Sequence, residues 1–179
     1  ARTRLVFDVG ADLNLPESLF DAPYPSDLRV DQDGHPVLDG FPNPNDVFIL
    51  DGLRENAEES VGFPVIPVIH FRFTAPVATA KVDDAIPAST DAAVLLVDVD
   101  PASAQRGALV PTVAHTLESD IYSGENVLSV ATQPGYVLRP KTRYAAVVLR
   151  AFGDQAGAPL GQASILTRLA KRAPRGAVE

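Results

Sequence analysis

Hydrophobic and polar residues alternate most clearly between Val65 and Thr74. Ile69, Phe71 and Phe73 fall on one side and Val68, His70 and Arg72 on the other, the period-two pattern of a half-buried strand. Ala92 to Val99 is apolar at nearly every position, which predicts a strand covered on both faces and stopped by Asp100-Pro101. Shorter strands are expected at Leu109–Ala114 and Val127–Ala131, with Gly124 and Pro134-Gly135 as turns, and a last one at Tyr144–Arg150. Arg4–Val9 reads as a first strand or leader. Only two stretches switch to a helical period. Val47–Ser60 places Ile49, Leu50, Leu53 and Ala57 on one face, with Asp46 as its cap and Gly62 as its end. Ser164–Arg172 turns Ile165, Leu166 and Leu169 inward.

Between Pro16 and Pro44 the prolines forbid regular structure, yet Phe20, Tyr24, Leu28 and Phe41 call for burial. This predicts an ordered loop laid over one sheet, with Asp33-Gly34 as a tight turn. The stretch Leu138-Arg139-Pro140-Lys141-Thr142-Arg143-Tyr144 predicts a turn that opens onto a strand. Leu138, Pro140 and Tyr144 at this spacing are the setting of a tyrosine corner, in which the ring packs inward and the hydroxyl bonds backbone a few residues upstream.

Short strands separated by turns, with one helix inserted early, predict a mainly β protein. The architecture is an immunoglobulin-like antiparallel β-sandwich with a Pro-rich ordered N-terminal segment. Its core is expected from Ile69, Phe71, Phe73, Leu95, Val97, Val99, Tyr144, Val147 and Leu149. The organisation reads as an arm over residues 1–18, the sandwich over 19–161, and a short helix and linker over 162–179. There the charge turns basic (Arg168, Lys171, Arg172, Arg175).

Composition narrows the chemistry. The 179 residues are 46% hydrophobic and carry a formal charge of −8, with a pI near 4.8. That balance opposes a nucleic-acid groove, which needs clustered Lys and Arg, and an anionic membrane surface. No run is long and apolar enough for a membrane-spanning helix. There is no Cys, hence no disulfide, thiolate nucleophile or cysteine metal site, and no Met, so Ala1 is read as the start of a processed or excised chain.

Candidate sites are sparse. No Gly-x-Ser-x-Gly elbow occurs, and His35, His70 and His115 are too scattered to pick a serine partner from sequence or to suggest zinc. Asp27, Asp31, Asp33 and Asp39 surround a turn containing Asp-x-Asp-Gly, a fragment of a calcium loop. The first and closing ligand positions are Arg29 and Gly40, so turn-forming Asp competes with calcium there. Asp98, Asp100 and Asp120 form a second acidic trio without ligand spacing. Phe41, Tyr24, Tyr122 and Tyr136 are candidates for a sugar-stacking platform, or for plugs at the open ends of the core. No phosphate-binding glycine loop is present.

Several motifs fall in a familiar order. They are Pro23-Tyr24-Pro25-Ser26-Asp27-Leu28, Gly40-Phe41-Pro42-Asn43-Pro44, Gly62-Phe63 leading to His70-Phe71-Arg72-Phe73, Leu95-Leu96-Val97-Asp98-Val99-Asp100, and Leu138-x-Pro-x-Thr-x-Tyr144. From about Leu19 to Leu160 the chain resembles the N-terminal, immunoglobulin-like domain of exported bacterial lipoproteins, including those grouped as bacterial virulence-factor lipases. The resemblance implies a β-sandwich secreted or held at the cell surface, which in that group precedes a catalytic α/β-hydrolase domain. It carries no catalytic residue onto this sequence, because the nucleophile belongs to the downstream domain.

The expected function is therefore a non-catalytic structural or interaction module without a cofactor, its partner a downstream catalytic domain or a surface protein. The alternatives are the N-terminal domain of a secreted lipase or esterase whose chemistry lies beyond residue 179, and a carbohydrate- or calcium-binding surface domain.

Overall fold

A computed structural model describes residues 2–172; Ala1 and residues 173–179, with Arg175 of the basic linker, lie outside the described residues. The chain forms two antiparallel sheets. Strands β1 (Val68–Arg72), β2 (Ala85–Ile86), β5 (Thr112–Thr116) and β6 (Val127–Thr132) make one in the order β1-β6-β5-β2. Strands β3 (Val94–Asp98), β4 (Leu109–Val110) and β7 (Tyr144–Val148) make the other in the order β4-β3-β7. Two helices accompany them, α1 (Phe48–Glu58) and α2 (Ser164–Arg172). The molecule is a mainly β sandwich. Ile69, Phe71, Leu128, Val130 and Ala114 from the first sheet meet Val94 and Leu96 from the second, and Phe73, Val77, Leu138 and Leu160 close the cluster.

The alternation in β1 translates directly into burial, with Ile69, Phe71 and Phe73 inside. β3 does not follow the expected parity. Val94, Leu96 and Asp98 face the core, while Leu95, Val97 and Val99 are half-buried on the outer side. Register carries the choice across the ladder: Val94, Leu96 and Asp98 stand opposite Val148, Ala146 and Tyr144. Those three partners therefore share the inner face, whereas Val147 pairs with Leu95 and is exposed. The error has a physical source. A strand apolar on both faces has no period to read, and Asp98 looks like an outward position until its partner is seen.

That partner is Arg139. Asp98 is 1% exposed. Its Oδ2 accepts from Arg139 Nη2 at 2.5 Å and from the Ser103 hydroxyl at 2.6 Å, and its Oδ1 accepts the Asp100 N–H at 3.0 Å. Arg139 also donates to Ser103 Oγ, and its backbone N–H donates to the Tyr144 hydroxyl at 3.3 Å, five residues along. Pro140 and Lys141 make the bend between them, Lys141 at a positive φ of 53°. Leu138 is buried beneath the turn. Tyr144 is thus the hub of a corner whose charged arm reaches into the end of β3.

Local details differ from the sequence expectation in several places. α1 ends at Glu58 instead of Ser60, and Gly62 gives its N–H to the Gly34 carbonyl instead of closing the helix. Asp46 does not cap α1: it sits at φ 48°, the N-cap position is Val47 with no side-chain cap, and Asn43 braces the entry by accepting the Val47 N–H at 2.8 Å. Pro111 divides the expected Leu109–Ala114 strand into β4 and β5. Leu166 and Leu169 of α2 are exposed and only Ile165 is half-buried. The N-terminal arm is stitched to the sandwich by Leu5 beside Phe73, by the Val6 N–H to the Arg72 carbonyl, and by Arg4 beside Gly161.

Candidate functional site

β1 is an edge strand, so its outer rim offers unpaired backbone groups. The Pro-rich segment covers them at His70, and the N-terminal arm at Arg72. Tyr24 and His70 exchange both backbone hydrogen bonds, at 3.1 and 2.6 Å, which sets their side chains on the outer face of the first sheet. The Tyr24–Pro25 bond is cis. Phe20 meets the His70 ring edge-on at 5.4 Å, and Phe63 meets Tyr24 at 6.1 Å. The segment expected over one sheet thus secures that sheet's edge as well.

Arg29 holds the segment in shape. It is 2% exposed. Its guanidinium donates to the carbonyls of Leu13 (2.7 Å), Leu19 (2.9 Å) and Ser18 (3.4 Å), and lies 5.8 Å from the Tyr24 ring centre. Burial lowers its pKa and the nearby Tyr24 opposes the shift. Burial in turn raises the pKa of the Tyr24 phenol.

Two further devices bring in the opposite wall. Gly40 packs against backbone, where a Cβ would come within 2.5 Å of the Leu13 carbonyl oxygen, and this close approach places Phe41 and Pro42. The Asn43 amide donates to the Val47 carbonyl and to Asp51, while Glu58 accepts the Leu38 N–H, so α1 is pinned at both ends. Across the opening, Asp120 Oδ1 accepts the N–H groups of Tyr122 and Ser123 and the Ser123 hydroxyl. These bonds hold the Asp120 pKa below its ordinary value.

The result is a pocket of about 420 Å³. Leu19, Phe20 and Tyr24 come from the Pro-rich segment, Phe41 and Pro42 from the next loop, Leu50 from α1, His70 from β1, and Tyr122 and Ser123 from the loop before β6. A second hollow of about 450 Å³ shares Phe20, Pro42, Tyr122 and Ser123 with it and adds the charged side chains of Glu17, Arg72 and Asp120. Arg72 there is already paired with Asp21 and the Phe20 carbonyl.

His70 is the reactive group in the first pocket. Its Nδ1 lies 2.8 Å from the Ser129 hydroxyl, the residue directly opposite on β6, and burial lowers its pKa. A histidine within reach of a serine is part of an acyl-transfer centre, but that chemistry also needs a carboxylate on the other ring nitrogen and free donors for an oxyanion. Among the described residues Nε2 has no partner. Ser129 lies in mid-strand between β1 and β5, where neighbouring backbone groups belong to the ladders. His115 stands opposite Ser129 from the β5 side, exposed, and His35 is in the Asp31 turn.

The acidic candidates separate. Asp31 accepts the N–H groups of Asp33 (2.9 Å) and His35 (2.8 Å), which holds its pKa low, the His35 bond being the larger effect. It closes the turn between Val30 and Pro36. Asp27 lies 3.7 Å from Arg143, and Asp33 and Asp39 are exposed. Among the described residues no three His, Asp or Glu side chains are grouped to hold a metal ion. Asp98 and Asp100 join at the corner, while Asp120 belongs to the pocket rim. Of the four aromatics singled out in the sequence, Tyr24, Phe41 and Tyr122 share the pocket and Tyr136 stands apart, exposed in the turn after β6.

His70, Leu50 and Arg29 carry the site without having been singled out for it. The available signal was Arg29 within a stretch rich in buried-type aromatics (Phe20, Tyr24, Phe41), although Asp27 and Asp31 flank it in sequence and offered it surface partners instead. Compared with protein-family models, curated proteins and solved structures, the chain matches none of them.

Proposed function

We propose that the chain is a non-catalytic, immunoglobulin-like module of an exported bacterial protein, and that it works by holding a protein partner. The pairing order supports the immunoglobulin-like assignment. An arm residue, Leu5, lies beside β1, then β1-β6-β5 face β4-β3-β7, with the tyrosine corner entering β7. This parallels sheets A-B-E-D and C′-C-F of that fold, with β2 as an addition to the D edge. Export and surface location rest on the sequence resemblance.

The observation that carries the partner reading is the exposed apolar surface of α1. No residue of this helix is buried, and Phe48, Ile49 and Leu53 are 89%, 65% and 59% exposed. The sequence placed Ile49, Leu50, Leu53 and Ala57 on one face, and of these only Leu50 contributes to the pocket wall. Each large apolar side chain gains about 1.5–3 kcal/mol on burial, so a partner has three anchors to cover. Asp51, Glu55 and Glu58 outnumber Arg54 on the same helix. The partner that complements it offers an apolar groove with a basic rim. Under the resemblance, that partner is a catalytic α/β-hydrolase domain of the same polypeptide.

The test uses the gene product as the bacterium exports it, with a photoreactive benzophenone in place of Phe48. Irradiation is expected to give one defined cross-link, within the polypeptide or to one protein, and none from the same group at Val147. Equal labelling from both positions would remove the docking role. Hydrolysis of p-nitrophenyl esters by residues 1–179, abolished by Ser129→Ala, would overturn the non-catalytic reading.

A further inference from the structure

The pocket beside His70 is chemically distinct from the α1 face. Its walls are aliphatic and aromatic, and no Asp, Glu, Lys or Arg side chain contributes to them. Charged side chains line the neighbouring hollow, past Phe20 and Tyr122, and the Arg29 guanidinium near Tyr24 is committed to the carbonyls of Leu13, Ser18 and Leu19 without lining the pocket. At about 420 Å³ it falls within the size range of small-molecule sites, which combine an apolar lining with a few placed polar groups. Those groups are few here. The Ser123 hydroxyl is committed to Asp120 and the Glu118 carbonyl, and His70 Nδ1 to Ser129. His70 Nε2 remains.

We propose that this pocket binds a small uncharged ligand with a ring or short branched apolar body and one hydroxyl, which hydrogen-bonds to His70 Nε2. A hydroxyl suits either tautomer of the imidazole, because it both donates and accepts. A carboxylate is disfavoured, since no cation lines the pocket to offset its loss of hydration. A sugar is disfavoured for the opposite reason: its many hydroxyls would find one partner. Phe20, Tyr24, Phe41 and Tyr122 supply ring faces and edges for the apolar body.

The probe is 2-naphthalenemethanol, titrated into the protein and followed by amide NMR, with 2-naphthoate as the charged probe of the same shape. The alcohol is expected to saturate, with shifts centred on Tyr24, Leu50, His70 and Tyr122, and the naphthoate to bind at least tenfold more weakly. His70→Phe should weaken the alcohol about tenfold, the fold-change one hydrogen bond gives. Because that substitution also alters a strand, Leu50→Trp provides an independent arm. It fills the pocket from the exposed helix and should abolish binding with the melting temperature unchanged. The proposal is overturned by an absence of saturable shifts at millimolar probe, by naphthoate binding as tightly as the alcohol, or by shifts centred on Phe48 and Leu53. The last result would place the probe on the helix face that carries the partner reading, so the two proposals fail separately.

Discussion

Tyr144, Arg139 and Asp98 tie three parts of the chain together through single side chains. The phenol holds the turn by its Arg139 N–H, and the guanidinium reaches the end of β3. Tyr144→Phe keeps the ring and removes only the hydroxyl. It should cost about 1 kcal/mol and lower the melting temperature by about 2–4 °C. A melting curve identical to the parent's would show that water replaces the bond without loss. The tyrosine was legible from its spacing to Leu138 and Pro140. Asp98 was not, because its inward direction depends on a cation 41 residues away in sequence.

Elements show where local pattern ends. β1 alternates and was read with its correct inner face, whereas β3 is apolar throughout and its face was decided by pairing with β7. α1 has a clear apolar stripe, yet Ile49 and Leu53 of it face solvent while Leu50 lines the pocket. Helical periodicity identifies a helix but says nothing of what covers it. The loop that carries α1 depends on Gly40, where a Cβ would collide with the Leu13–Leu15 backbone. Gly40→Ala should therefore destabilise by about 1–3 kcal/mol, since neither backbone can yield as a side chain does. Chemical denaturation measures it; a change below half a kcal/mol would show that the loop shifts freely.

At the scale of the molecule, pH reads out both the pocket and the corner. Burial lowers the His70 pKa from 6.5 in the fold, so below that value the unfolded chain binds more protons and stability falls. Tyr24, the neighbouring titratable group, has its pKa raised from 10.0 and stays neutral across that range. Asp98 is shifted in the same direction for a different reason. Bonds from Ser103, the Asp100 N–H and Arg139 lower its pKa from 3.8, so its contribution is complete above that value and is lost as pH falls through the folded pKa. Two declining limbs are expected in denaturant melts from pH 8 to pH 3: a first starting near 6.5 and a second below 4. His70→Asn should flatten the first and leave the second. If the first persists in that variant, another group is responsible.

What the sequence determined by itself was local and periodic: strands where polarity alternates, breaks at Pro and Gly, a corner at Tyr144, an acidic chain without cysteine, and helices where the period lengthens. These follow from backbone sterics and side-chain spacing, which act over a few residues. Tertiary structure decided which face of β3 turned inward, and that Asp98 was buried because Arg139 met it. It also set the Pro-rich segment along the β1 edge and left Phe48, Ile49 and Leu53 of α1 exposed. The pocket belongs to the same class. Tyr24, Phe41 and Tyr122 were noticed as aromatics, but His70 joined them only when Tyr24 paired with β1 and the loops closed over it. Long-range pairing brings such residues together, and no period along the chain records it.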